Sequence, residues 1–140
     1  MKKLIALILV AVCLLAGCTL QGENALLENG PWGSQAIWTD GYDHVYLVCT
    51  KGNGDTYATV TAYLAVLSDW QPLKMELGQD GSTVHFNADG KTLMQAKVEM
   101  QGDKLHMYKF HIVNNEFTDM AVNLTLTKYA YDEMIDKLPF

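Results

Sequence analysis

The chain has 140 residues, with ten basic and 16 acidic side chains and a formal net charge of −6. All ten basic side chains are lysines, because the sequence contains no Arg. Nucleic acids and phosphate-rich ligands favour a basic face and the planar fork of Arg. The composition therefore argues against nucleic-acid binding.

The first 17 residues have the pattern of a secretory signal peptide. Lys2 and Lys3 precede an apolar run over residues 4–15, and the small residues Ala16 and Gly17 end it. A membrane-spanning helix needs roughly 20 apolar residues, so this run is too short to serve as an anchor. We therefore expect the leader, residues 1–17, to be removed.

Cys18 follows the small pair directly. The order and spacing closely resemble the lipobox of bacterial lipoproteins. The resemblance implies cleavage before Cys18 and attachment of a diacylglycerol to its sulfur, often with acylation of the new amino group. Two or more acyl chains hold a protein stably at a membrane. The implied location is the extracytoplasmic surface of the cell membrane or outer membrane.

Removal of the leader leaves 123 residues, with eight lysines against 16 acidic side chains and a net charge of −8. We divide them into a lipidated tether, 18–29, and one domain, 30–140, of a size that can bury a single core. Cys49 then has no cysteine partner and lies in an apolar run, where Cys usually behaves as a small hydrophobe.

The domain alternates between apolar and polar residues with a period of two, which indicates half-buried strands. In the clearest case Ala58, Val60, Ala62, Leu64 and Val66 share one face. Turn signals such as Asp-Gly and Asn-Gly separate the segments. The predicted strands are 34–40, 43–50, 56–67, 71–77, 82–88, 92–100, 104–112 and 121–129.

Connections this short demand antiparallel neighbours. The predicted fold class is therefore all-β: an antiparallel meander of about eight strands that forms a small closed or partly open barrel. A short C-terminal helix over 131–138 would place Met134, Ile135 and Leu138 against the barrel.

Catalytic and metal-binding patterns are weak in this sequence. His44, His85, His106 and His111 lack ligand spacing, and the odd separation of the last two predicts opposite faces of one strand. No Gly-x-Ser-x-Gly frame surrounds a serine. We therefore expect neither an enzyme, nor a metal site, nor a cofactor.

The predicted inner face is rich in slim or pliable side chains. An eight-stranded barrel is close to the size at which the interior is either filled or holds one small ligand, and Met adapts to irregular apolar shapes. This pattern predicts either an ordinary packed core or a pocket for a small apolar ligand. The candidate pocket residues are Ala58, Ala62, Met75, Met94, Ala96 and Met100.

The domain opens with Gly30-Pro31-Trp32 and closes its last strand with Lys128. This pair resembles the lipocalin and calycin pattern of Gly-x-Trp on the first strand and a basic residue at the end of the last. The family normally has Arg where Lys128 stands. The resemblance implies a lipocalin-like barrel in which Trp32 plugs one end and packs against the cation, a contact worth about 0.5–2 kcal/mol.

An exposed aromatic face is the alternative functional feature, because such rings bind sugars and proteins. It would make the protein a solid-core envelope component that binds a protein or glycan partner. The candidate aromatics are Trp38, Tyr42, Tyr46, Trp70, Tyr57 and Tyr63, of which Tyr57 and Tyr63 share the outer face of one predicted strand.

Overall fold

A computed structural model describes residues 25–66, 70–113 and 119–140. The predicted leader, the lipobox and Cys18 lie outside these described ranges. Among the helices within them, none combines the length and apolarity that a membrane crossing requires.

The described residues form an N-terminal helical turn, nine strands and a short C-terminal helical segment. The strands are β1 (Ala36–Thr39), β2 (Val45–Thr50), β3 (Thr59–Leu64), β4 (Pro72–Leu77), β5 (Thr83–Ala88), β6 (Lys91–Gln101), β7 (Lys104–Ile112), β8 (Asp119–Met120) and β9 (Leu124–Tyr129). A helical turn over Tyr131–Met134 continues as a 3-10 turn over Ile135–Lys137.

The strands close into an antiparallel barrel. Each strand from β1 to β7 pairs with the next along the chain, and β9 pairs with both β1 and β7. Eight strands thus form the ring, while the two-residue β8 pairs with the last part of β7. The predicted all-β meander and its C-terminal helix are therefore confirmed.

The period of two predicts the positions of the strands, but several predicted strands are too long, and the excess is largest for β3. Val60, Ala62 and Leu64 point into the core and are buried, as predicted. Val66 was placed on the same inner face, and that assignment is wrong, because β3 ends at Leu64 and Val66 is 53% exposed.

A bulge in β7 reverses the alternation of its side chains. Tyr108 and His111 lie opposite Lys97 and Gln95, so one strand holds an extra residue, and Lys109 has a φ of 51°. Before the bulge the inward side chains are Leu105 and Met107, and after it the inward, buried side chain is Phe110. The prediction that His106 and His111 face opposite sides is therefore wrong, since the bulge turns both to the outer face.

The N-terminal segment covers the barrel end at which β3 begins. Residues 25–28 form a helical turn, and the Leu26 side chain is buried in the core. A Cβ on Gly30 would lie 2.6 Å from the Leu26 carbonyl oxygen, and one on Gly33 would lie 2.0 Å from that of Glu28. Any other residue at position 30 or 33 would therefore clash with the backbone of the helical turn over 25–28.

The C-terminal segment covers the outside of β1. The helical turn contacts β1, and the outward side chain of Ile37 is fully buried. Met134, Ile135 and Leu138 are half-buried, which agrees with the predicted packing of these side chains on the barrel. The chain ends at Phe140, whose ring lies among Tyr46, Tyr63 and Trp70.

Candidate functional site: an apolar cleft at the barrel mouth

The cleft lies at the end of the barrel opposite the N-terminal segment, where β3 and β7 end and β2 and β9 begin. One wall comes from β2 and β3, and the facing wall from β7, β8 and β9. The lining residues are His44, Val45, Leu64, Ala65, Val66, Phe110, Met120, Val122 and Leu124.

Backbone pairing fixes both walls. Val45 pairs with Leu64, and the Ala65 amide extends that ladder by donating to the His44 carbonyl at 2.9 Å. On the facing wall, Phe110 pairs with Met120. The bulge at Lys109 turns Phe110 inward, so local strain in β7 shapes this wall.

The size and chemistry of the cleft restrict its occupant. Its volume is about 210 Å³, and eight of its nine lining residues are apolar. A cavity of about 150 Å³ lined by aliphatic and aromatic side chains is enough to bind benzene, whereas drug-sized ligands take about 300–1,000 Å³. The cleft therefore fits a single ring or a short alkyl group.

His44 is the one polar side chain among the nine residues that line the cleft. Its Nδ1 lies 2.5 Å from Oδ2 of Asp40, whose side chain is only 4% exposed. Oδ1 of Asp40 also accepts hydrogen bonds from the amides of Tyr42 and His44. The β1–β2 loop thereby holds the imidazole at the rim in one orientation.

The pocket residues predicted from the sequence lie elsewhere in the barrel. All six point toward the core and belong to the buried cluster or pack against it. None of them lines the cleft: the set is Ala58, Ala62, Met75, Met94, Ala96 and Met100.

Trp32 and Lys128 both lie toward the barrel end that the N-terminal segment covers. Trp32 is buried in the core cluster, and its carbonyl accepts the Ala58 amide at 2.7 Å. Lys128 is exposed, and its cross-strand partner in the β1–β9 ladder is Trp38. The residues of the proposed plug thus share a barrel end, and the backbone partner of Lys128 across the strands is Trp38.

The candidate aromatic face is only partly available at the surface. Trp38 was placed in this face, and that assignment is wrong, because its side chain is buried inside the barrel. Tyr46 is also buried and donates its hydroxyl to Asp43. Burial and this hydrogen bond raise the pKa of Tyr46 to about 12.

Two tyrosines are exposed, and two other rings lie beside the C-terminus. Tyr42 and Tyr57 are exposed, at opposite ends of the barrel. Tyr63 and Trp70 are half-buried, and Phe140 covers part of each ring. Tyr57 and Tyr63 therefore form no continuous patch, since six residues along a strand span about 20 Å.

The other titratable residues that the structure describes bear on metal binding and on thiol reactivity. Across the described ranges, no group of three or more His, Cys, Asp or Glu side chains is arranged to hold a metal ion. Burial raises the pKa of the Cys49 thiol to about 12, which opposes formation of the reactive thiolate.

The sequence contained one signal for the cleft. In the predicted strand 104–112 the apolar residues are first at odd positions, Leu105 and Met107, and then at even positions, Phe110 and Ile112. Such a switch within one strand indicates a bulge, and bulges are enriched at barrel rims and beside functional sites.

No protein-family model matches the sequence, and comparisons with curated proteins and with solved structures found no match. The fold and the cleft define the protein as an antiparallel β-barrel with an apolar site at one end.

Proposed function

We propose that this protein is a lipid-anchored extracytoplasmic lipoprotein whose barrel binds a small apolar ligand in the cleft at its mouth. The observation that carries the binding half is the cleft itself, about 210 Å³ in volume and apolar on both walls. A closed barrel supplies a rigid frame for such a site. The lipocalin-like features of the sequence support the same class of function.

The anchoring half rests on the leader and on Cys18. Cys18→Ala should abolish lipidation, because the thiol is the attachment atom, and should release the protein from membranes. The measurement is the membrane-bound fraction after a high-salt wash, with Cys49→Ala as the matched cysteine control. A Cys18→Ala protein that stays with the washed membranes contradicts the anchor.

Ligand binding can be tested on protein from its own cells. Native mass spectrometry of the membrane-extracted protein should detect a bound apolar species. Ala65→Phe should reduce its occupancy at least tenfold by filling the cleft, whereas the exposed Ala130→Phe at the other barrel end should not. Equal occupancy in both variants contradicts binding in the cleft.

A second candidate function is that of an envelope interaction protein that binds a protein or glycan partner. Tyr42, which is 79% exposed beside the cleft, favours it, because aromatic rings commonly anchor such contacts. Crosslinking in intact cells tests this function. A Tyr42→Ala and Tyr57→Ala double variant that captures the same partners as wild type would count against it.

A further inference from the structure

The His44–Asp40 pair adds a polar feature to an otherwise apolar cleft. Resting on the proposed binding function, we infer that the ligand is a small apolar molecule that carries a hydroxyl group, such as a phenol. Its ring would fill the cleft while its hydroxyl donates to Nε2 of His44.

The first step of the argument is the tautomer of His44. Asp40 Oδ2 lies 2.5 Å from Nδ1, and a carboxylate accepts hydrogen bonds but cannot donate them. Nδ1 therefore carries the proton. In the neutral ring the other nitrogen, Nε2, is then an acceptor.

The second step is that Asp40 is built to hold this arrangement. Its side chain is 4% exposed, and its Oδ1 accepts hydrogen bonds from the backbone amides of Tyr42 and His44 at 3.1 and 3.3 Å. The imidazole itself is 60% exposed and lines the cleft. Nδ1 of His44 thus bonds to Asp40, whereas Nε2 can accept a hydrogen bond from a ligand at the rim of the cleft.

The third step concerns the charge of the ligand. The Asp40 carboxylate lies 2.5 Å from the ring and repels an anion that approaches it. The other eight residues that line the cleft are apolar. A neutral hydroxyl donor therefore suits the site better than a carboxylate does.

Three probes with one ring each separate these possibilities: toluene, phenol and benzoate. The membrane-extracted protein in lipid nanodiscs is titrated with each probe at pH 8, and the methyl signals of Val45 and Leu64 report occupancy of the cleft. Free probe is measured after dialysis, because apolar probes partition into lipid. Wild type should bind phenol at least as tightly as toluene, and benzoate more weakly than either.

The variants test the role of His44. His44→Phe removes the acceptor for the ligand hydroxyl, so it should shift the phenol-to-toluene affinity ratio about two- to tenfold toward toluene. His106→Phe is the matched control, because His106 also pairs through Nδ1 with a carboxylate, that of Glu99 at 3.1 Å, on the outer face of β7. Its ratio should equal that of wild type.

Asp40 acts as a positioning residue, and its test needs a readout of the tautomer. The ¹⁵N shifts of His44 should show a protonated Nδ1 in wild type and a mixture of tautomers in Asp40→Asn. The phenol preference should fall together with the fraction of that tautomer.

The outcomes separate this inference from the proposed function. Toluene binding with an equal phenol-to-toluene ratio in wild type and His44→Phe would overturn the inference and leave the apolar site intact. Tightest binding of benzoate would also overturn it. If neither toluene nor phenol perturbs the cleft methyls, the proposed function fails, and this inference fails with it.

Discussion

The ring of Phe140, the last residue of the chain, stacks on that of Tyr63, with 4.1 Å between the ring centroids and 28° between the ring planes. Tyr46 and Trp70 complete the contact, with centroids 5.9 and 5.5 Å from that of Phe140. The C-terminal segment is therefore fixed at its end to the outer face of β2 and β3.

Phe140→Ala should lower the free energy of unfolding. Paired aromatic rings contribute about 0.5–1.5 kcal/mol beyond their buried area. A double-mutant cycle of Phe140→Ala with Tyr63→Ala, measured by urea unfolding, should show coupling of this size. Additive effects would mean that the stacked contact contributes nothing, and Tyr57→Ala combined with Phe140→Ala provides an uncoupled control.

Substitutions on β4 should cost much more stability on the inner face of the barrel than on the outer face. Leu73→Ala should cost about 2–5 kcal/mol, because the side chain is buried and leaves a cavity. The adjacent Lys74→Ala should change stability by about 0.5 kcal/mol or less, since its ion pair with Glu76 lies at the surface. Equal losses in chemical denaturation would contradict the strand register.

Trp32→Ala should remove about 3–5 kcal/mol of stability, because the indole is buried in the core cluster at the covered barrel end. Unfolding at the wild-type urea midpoint would contradict the role of Trp32 in closing that end.

Double-mutant cycles with Lys128 test which tryptophan the lysine contacts at the covered barrel end. Its direct cross-strand neighbour is Trp38, so Lys128→Ala should couple with Trp38→Phe and be nearly additive with Trp32→Ala. Coupling to Trp32 instead would support the contact that the lipocalin-like resemblance implies.

Asp80 should make stability depend on pH in the acid range. Its carboxylate accepts the Thr83 hydroxyl and the amides of Ser82 and Thr83, and Lys97 Nζ lies 3.2 Å away. The Thr83 hydroxyl, the two amides and Lys97 hold the pKa of Asp80 well below its usual range.

A pKa that is lowered in the folded state stabilises the protein above the unfolded pKa of about 3.9, and this stabilisation is lost as the pH falls below that value. Asp80→Asn should therefore be less stable than wild type at pH 7, and the difference should shrink between about pH 5 and pH 2. Urea unfolding across this range measures it, with the exposed Asp103→Asn as control. A difference that does not change with pH would contradict this role.

The barrel could be predicted from the sequence because its signals are local. Alternation within each strand and the Gly-containing turns located all eight strands of the ring, and the 104–112 segment matches β7 from end to end. Strand ends could not be located as closely, since Val66 continues the apolar pattern although β3 ends at Leu64 and the Val66 side chain is exposed.

The cleft could not be predicted in the same way. It depends on which strands face each other across the barrel mouth, as Leu64 and Leu124 do, and that relation is not local. It also depends on the Lys109 bulge, which changes the face on which Phe110 lies. The sequence pointed to Ala and Met positions along the inner wall, whereas those side chains pack into the core.

Binding at the barrel mouth is tested most directly by a titration of the membrane-extracted protein in nanodiscs with toluene, monitored by the methyl signals of each residue. We predict that signals of Val45, Leu64 and Leu124 shift in wild type and in Ala130→Phe, and that Ala65→Phe removes these shifts. Shifts confined to inner-wall residues such as Ala62 and Met94, or an Ala65→Phe titration equal to that of wild type, would contradict binding at the barrel mouth.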